Sequence, residues 1–396
     1  MTSDKLSQVR IGNLCYFSNG HGFTPEDWKA SGLPIIRIQN LNGSKDFNYY
    51  QGVPKKEWLV KPGDLLFAWA GVKGVSFGPT IWNGPIGVLN QHIYRIHPNN
   101  GIDKKWLYYA LKQVTFEIEK KAHGFKTSLV HVHKSDITRA SVIKPSLMEQ
   151  INLANLLSFW DMAIEKTEEL IVAKEKQFNW LQKQLIFTLA YNKKACRHHK
   201  IRDIADRVQR KSDGIEYPIL TISSSSGFIL QEEKYSRYMA GKSVEDYILL
   251  HKGEFAYNKG NSLRYQFGCV FELKDYDDAL VPHVYVCFKL HDLVDPDYLR
   301  HVFNADYLKR QLGALVKTGV RNNGLLNIRP EEFMNVTVPI PSAPQQAFIA
   351  KTLSSARQEI NLLKKQSAAY RKQKRVLMQR LLTGQWRVKT DLEEVV

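Results

Sequence analysis

The chain has 396 residues, with 56 Lys and Arg against 39 Asp and Glu, for a net charge of +17. Its 43% hydrophobic and 11% aromatic content is that of a folded protein and excludes a disordered one. At about 100–200 residues per domain two domains are expected, and the charge favours a polyanionic partner, nucleic acid before an anionic membrane surface.

Met1 to Arg10 is polar and lacks the apolar stretch of a secretion signal. Residues 1–145 read as a β-rich domain of short β-branched or aromatic runs, such as Pro34–Ile38 and Gly84–Ile96, punctuated by Gly, Pro and Asn. The longest apolar run of the chain, Leu65–Val72, is far below the roughly 20 residues that span a bilayer, so no membrane partner is expected. Residues 146–190 follow a proline turn (Lys144-Pro145-Ser146) as a long helix without Gly or Pro. Residues 191–340 return to β-rich patterning, for example Tyr217–Ile222, and residues 341–396 form a second long helix after Ile340-Pro341-Ser342, with a tail. The four segments carry net charges of +9, −2, +3 and +7. Cys15, Cys196, Cys269 and Cys287 are scattered, with no C-x-x-C pair, which suggests neither a zinc ribbon nor a disulfide framework and fits a reducing cytoplasm.

The chain is written twice. Ile11-Gly12-Asn13-Leu14 parallels Ile201-Arg202-Asp203-Ile204, and Pro34–Ile38 parallels Pro218–Ile222. Lys61–Leu65 parallels His251–Phe255, and His92-Ile93-Tyr94 parallels His283-Val284-Tyr285. Asp103 with Trp106-Leu107 parallels Asp295 with Tyr298-Leu299, and Val142–Pro145 parallels Val338–Pro341. The offset creeps between 184 and 196 residues, as small loop insertions require, and the shared order points to tandem duplication.

Both helices carry a 4-3 apolar stagger. The first reads Leu153, Leu157, Trp160, Ile164, Thr167, Ile171, Lys174, Phe178, Leu181, Leu185. The second reads Ile349, Leu353, Ala356, Ile360, Leu363, Ser367, Tyr370, Lys374, Leu377, Leu381. A 3.5-residue repeat over four heptads predicts a coiled coil, against the alternative of two amphipathic helices packed on separate domains. Residues 161–186 carry five acids and four bases, whereas 357–382 carry one acid and eight bases. Opposite charge favours pairing the two helices with each other, and an antiparallel intramolecular pair is the economical topology, with Thr167 expected opposite Ser367.

At this point the chain resembles the specificity subunit of a type I restriction-modification system over essentially its whole length. The specific marks are Pro339–Gln346 leading into the second helix, Leu381-Leu382-Thr383-Gly384 closing it, and Lys144–Gln150 leading into the first. Leu33–Asn40 and Leu89-Asn90-Gln91-His92 also fit the family, while the second copy departs with Thr221-Ile222-Ser223-Ser224 and Val281-Pro282-His283. The resemblance implies an α+β fold: two tandem β-rich target-recognition domains with small helices, separated by two long helices that form an antiparallel intramolecular coiled coil. It implies that each recognition domain reads one half of a bipartite, asymmetric site in double-stranded DNA. The coiled coil would set the spacer and dock two modification (methyltransferase) subunits, and the complex would recruit restriction (motor-nuclease) subunits. S-adenosylmethionine, ATP and Mg are then expected on those partners, and no cofactor on this chain. A helix of 40 residues at ~1.5 Å each reaches about 60 Å, enough for half-sites several base pairs apart.

The sequence offers no active site of its own and no metal site. Gly241-Lys242-Ser243 resembles the end of a phosphate-binding loop, but Ser236 stands where the first glycine is needed. His131 and His133 lack a third ligand nearby. Two corresponding loops join a cation to small polar donors, as a DNA backbone clamp requires: Lys126, Thr127 and Ser128 after Gly124-Phe125, and Arg321, Asn322 and Asn323 after Gly319-Val320. Lys73 and the matching Lys259 and Arg264 are further DNA-binding candidates, and Gln39 and Asn40 either read DNA or serve as structural hydrogen-bonding residues. The basic face of the second helix, Lys364-Lys365 and Arg371-Lys372-Lys374-Arg375, suits DNA or a partner subunit. Two other readings compete: the recognition half of a fused restriction-methylation enzyme, and a coiled-coil adaptor that binds no DNA.

Overall fold

A computed structural model describes residues 7–72, 74–121, 129–192, 196–234, 245–316 and 325–388. The chain divides into two units, one holding Met1–Glu168 with Lys365–Val396 and the other Glu169–Lys364.

In the first unit an antiparallel sheet has the strand order Cys15–Asn19, Ile93–Pro98, Leu65–Ala68, Gly78–Ile81. In the second unit the order is Ala205–Val208, Val286–Leu290, Phe255–Asn258, Cys269–Glu272. The two sheets have the same connectivity, so the duplication seen in the sequence is a duplication of topology. Every residue of Leu65–Ala68 is buried, as expected of a central strand covered on both faces. The helix Lys104–Lys121 covers the first sheet with Trp106, Leu107 and Leu111. In the second unit Tyr298, Leu299 and Val302 of Pro296–Asn304 do the same, while Tyr257 stacks on Phe333 with ring centres 4.2 Å apart.

A parallel pairing also recurs. Ile35 pairs with Val88 in the first unit, and Ile219 bridges Leu280 in the second. Each β-rich domain is closed by a ribbon joining its first and last strands, Ser7–Arg10 with Ser141–Lys144 and Cys196–Lys200 with Thr337–Pro341. Each ribbon thereby fixes the point at which a long helix begins.

Both helix starts use the same three devices. Ser146 and Glu149 form a capping box, with the Ser146 amide donating to Glu149 Oε2 at 3.1 Å; Ser342 and Gln345 repeat it at 3.3 Å. Gln150 is fully buried, accepts a hydrogen bond from the Asp103 amide (2.8 Å) and donates to the Pro145 carbonyl (3.0 Å). Gln346 accepts from the Asp295 amide (2.9 Å) and donates to the Pro341 carbonyl (3.0 Å). Asp103 and Asp295 in turn cap the helices that follow them, accepting from the amides of Trp106 and Tyr298. One buried amide thus ties the long helix to the domain helix in each copy.

The central helix runs Leu147–Gln182 and the terminal helix Ala343–Leu382. No position of the 4-3 stagger is exposed: Leu153, Leu157, Ile171, Phe178, Ile349, Leu353, Ile360, Ser367 and Leu381 are buried and the rest half-buried. In the first unit Lys374 pairs with Asp161, and Glu168 accepts from Ser367 (3.0 Å) and from Arg371 Nε (2.9 Å). Trp160 meets Tyr370 edge to face at 5.7 Å. In the second unit Lys174 pairs with Glu359 (2.7 Å), Glu175 with Lys364 (2.6 Å), and the Arg357 guanidinium lies 3.8 Å from the Phe178 ring centre. In both, partners descend one helix as they ascend the other, so the pair is antiparallel. Acid from one helix meets base from the other, the arrangement the charge imbalance anticipated.

The stagger is modified at one end. Lys183–Thr188 is π-helical before α-helix resumes at Leu189–Tyr191. The wider turn rotates the chain, so Ile186 is fully buried while Leu185 is half-buried.

Candidate nucleic-acid interface

The clearest difference between the two units lies where the central strand leaves the sheet. In the first unit this strand ends at Ala68 and Trp69 follows. Trp69 is held by its indole N–H, which donates to the Gln91 carbonyl at 3.1 Å. Around it stand His131 (4.7 Å between ring centres), His92 (5.1 Å) and Tyr94 (6.0 Å, stacked). The Trp69 carbonyl accepts from Val132 (3.1 Å), and Ala70–Val72 pairs with Leu129–His131. Lys134 adds a cation, its Nζ donating to the Phe17 carbonyl at 3.2 Å and lying 6.0 Å from the Tyr94 ring centre. Next to this aromatic wall the turn is pinned from both sides: the Val72 amide donates to Ser76 Oγ (2.7 Å) and the Gly74 amide to Glu119 (2.8 Å). Gly71 has φ +156°, and a Cβ there would meet Ser76 Oγ at 2.5 Å, so glycine is required.

In the second unit Lys259 takes the place of Trp69. Its carbonyl accepts from Leu326 (3.1 Å), and Gly260 bridges Leu325 as Ala70 pairs with His131. Tyr94 faces Phe67 across the first sheet and Val286 faces Tyr257 across the second, so Tyr94 corresponds to Val286 and His92 to Val284. This corrects the sequence alignment of His92-Ile93-Tyr94 with His283-Val284-Tyr285 by one residue; a loop insertion before the strand makes His-x-Tyr coincide with the wrong level. The aromatic wall is therefore replaced by Lys259, Val284, Val286 and Leu325. Beside them opens a cavity of about 440 Å³, whose polar lining includes Thr221, Gln231, Lys234, Asn258, Asn261 and Ser262. Among the described residues no carboxylate lines it.

The remaining candidates are distributed as follows. Arg264 is exposed, with its guanidinium 5.1 Å from the Tyr265 ring centre. Gln39 is exposed and its amide donates to the Asp46 carbonyl at 3.3 Å. Asn40 is buried, accepts from the Arg37 amide (2.9 Å) and donates to the carbonyls of Ser44 (3.1 Å) and Asp46 (2.9 Å). Of its two readings the structural one describes it: all of these bonds shape the turn after Ile36. Lys73, Lys126, Thr127, Ser128, Arg321, Asn322 and Asn323 lie outside the described residues. Asn261 and Trp69 were not singled out from the sequence; the Gly260-Asn261-Ser262 turn was the available signal for the first, and nothing but the strand end marked the second. Among the described residues no group of three His, Cys, Asp or Glu could hold a metal, and no helix is long and apolar enough to cross a membrane.

Residues 4–174 match the family model of the type I restriction modification DNA specificity domain. The MjaVIII type I restriction enzyme specificity subunit of Methanocaldococcus jannaschii is 24% identical, with 96% of this chain and 93% of that protein aligned. In sequence and in fold this chain resembles the type I specificity subunits. The EcoBI specificity subunit of Escherichia coli is 25% identical over 42% of this chain and 34% of its own length. Among solved structures, the S subunit of a type I restriction-modification system from M. genitalium superposes with a TM-score of 0.57 at 15% identity, covering 96% of this chain and 97% of that one. A chain from a study of complex assembly and conformational transition in the type I system gives 0.56 at 14% identity, covering 95% and 98%. The likeness to the solved structures is one of fold.

Proposed function

We propose that the chain is the sequence-specific DNA-binding subunit of a type I restriction-modification complex, with residues 1–145 and 191–340 each reading one half of a bipartite, asymmetric site. One observation carries this reading: the two domains share strand order, ribbons and helix starts, yet present different chemistry at the same place, an aromatic wall in one and an amide-lined cleft in the other. A duplicated frame with divergent surfaces is what two different half-sites demand. The helices at 146–190 and 341–396 set the distance between half-sites and dock the methyltransferase subunits. S-adenosylmethionine, ATP and Mg belong to partner subunits in this reading, as does all catalysis, and restriction subunits join the assembled complex. Lys73, Lys126, Thr127, Ser128, Lys259, Arg264, Arg321, Asn322, Asn323 and Gln39 are the proposed DNA-contacting set.

A salt titration of the full chain on duplex DNA tests the reading. Binding should weaken with a log–log slope of about −0.9 per neutralised phosphate. A flat response, or S-adenosylmethionine binding by the chain alone, would overturn it.

A further inference from the structure

We infer that the cleft of the second unit is a base-reading site and that the side-chain amide of Asn261 takes the edge of one base of that half-site, adenine by its hydrogen-bonding pattern. The inference rests on the reading of the chain as a DNA-specificity subunit and goes beyond it by naming a residue and a base.

Three observations carry it. First, the cleft sits at the place where the duplicated frame changes chemistry, with Lys259, Val284 and Leu325 standing where the first unit has Trp69, His92 and His131. Scaffold positions such as Gln150 and Gln346 repeat; this position does not. Second, the polar lining is neutral or basic. Among the described residues Thr221, Gln231, Asn258, Asn261 and Ser262 supply its polar groups, Lys234 is the one cation in the lining, and no carboxylate is there to repel phosphate.

Third, the turn that carries Asn261 is anchored on both sides. Asn258 Oδ1 accepts from the Gly260 amide at 2.9 Å, and Gly260 bridges Leu325. On the other side Ser262 Oγ accepts from the Tyr265 amide at 3.0 Å, and the Ser262 amide donates to the Tyr265 carbonyl at 3.1 Å. Asn261 itself is exposed, and among the described residues its amide has no hydrogen-bond partner. The backbone that carries this side chain is held between two fixed neighbours, so little backbone freedom is lost on binding. A primary amide matches the acceptor and donor that adenine presents in the major groove, one bond to N7 and one from N6.

The test is selection from a library of randomised duplexes by the full chain, wild type and Asn261 variants, each first shown to melt like the wild type. The wild type should enrich two separated motifs. N261A should lose discrimination at one base of one motif by about 5- to 150-fold, with the other motif unchanged. N261D keeps the shape but turns the donor into an acceptor, and should move the preference at that same base from adenine towards cytosine. An unchanged N261A profile, or an equal loss of affinity for all sequences, would overturn the inference while leaving the proposed function standing. A wild-type chain that binds duplexes without preference would overturn the function itself, and the inference with it.

Discussion

Replacing Gln150 by Leu tests how the recognition domain is locked to its helix. The side chain is fully buried and bonds the Asp103 amide at 2.8 Å and the Pro145 carbonyl at 3.0 Å. Its third approach, to the Gly101 carbonyl at 3.4 Å, is too long to add much. Leucine fills nearly the same volume, so little of the loss comes from a cavity. Two backbone groups, the part-buried Asp103 amide and the buried Pro145 carbonyl, are instead left without partners, at about 1–3 kcal/mol each, for a total of about 2–6 kcal/mol. The loss should be local, because the second unit has its own latch in Gln346. Hydrogen exchange followed by mass spectrometry reads this directly. In Q150L, exchange should quicken around Asp103, through Lys104–Lys121 and at the start of Leu147–Gln182, while Pro296–Asn304 stays protected; Q346L should give the mirror pattern. A loss below about 0.5 kcal/mol, or equal deprotection of both units, would refute the reasoning.

Other substitutions separate strong from weak contacts. Asp161→Asn should cost about 1–3 kcal/mol in urea unfolding, because the Lys374 side chain is only 12% exposed, while Glu168→Ala, which faces the exposed Arg371, should cost under about 1 kcal/mol; equal losses would contradict this. His301 is buried against Ser354 (2.9 Å), and burial with the nearby Arg300, Arg357 and Lys274 holds its pKa at about 4. Its folded pKa lies below the unfolded value of about 6.5, so stability falls as pH drops through that window, by up to about 3 kcal/mol, and a His301→Asn chain compared at pH 7 and pH 4.5 should lack this component. Asp306 sits at φ +56° with its carboxyl raised to about 6 by burial, so at pH 7 its ionised form opposes folding. Asp306→Asn should raise stability at pH 7 by about 1 kcal/mol, with the gain vanishing towards pH 4; a loss at pH 7 would show that the carboxylate has an unseen partner.

Much of this architecture was legible because it is periodic. The 4-3 stagger follows from helix geometry, and its positions are the ones that avoid solvent. The sign imbalance between the helices is spent in pairs such as Asp161 with Lys374 and Lys174 with Glu359. Ser367 was expected opposite Thr167 and its hydroxyl bonds Glu168, the next residue. Other features depend on long-range packing and left no local signal. The π turn at Lys183–Thr188 continues an unbroken helical pattern. The role of Asn40 is decided by carbonyls at Ser44 and Asp46 that only the folded turn brings within reach. The one-residue register error at His92 arose because identical short strings align more readily than sheet levels. Trp69 and Asn261 acquire meaning only when the two copies are compared strand by strand.

The most direct measurement of the central claim is the base preference of the full chain on randomised duplexes across a range of salt. Two motifs of different sequence should emerge at a fixed separation, with overall affinity falling steeply as salt rises. A single motif, a pair of identical motifs, or salt-sensitive binding with no preference at any base would contradict it.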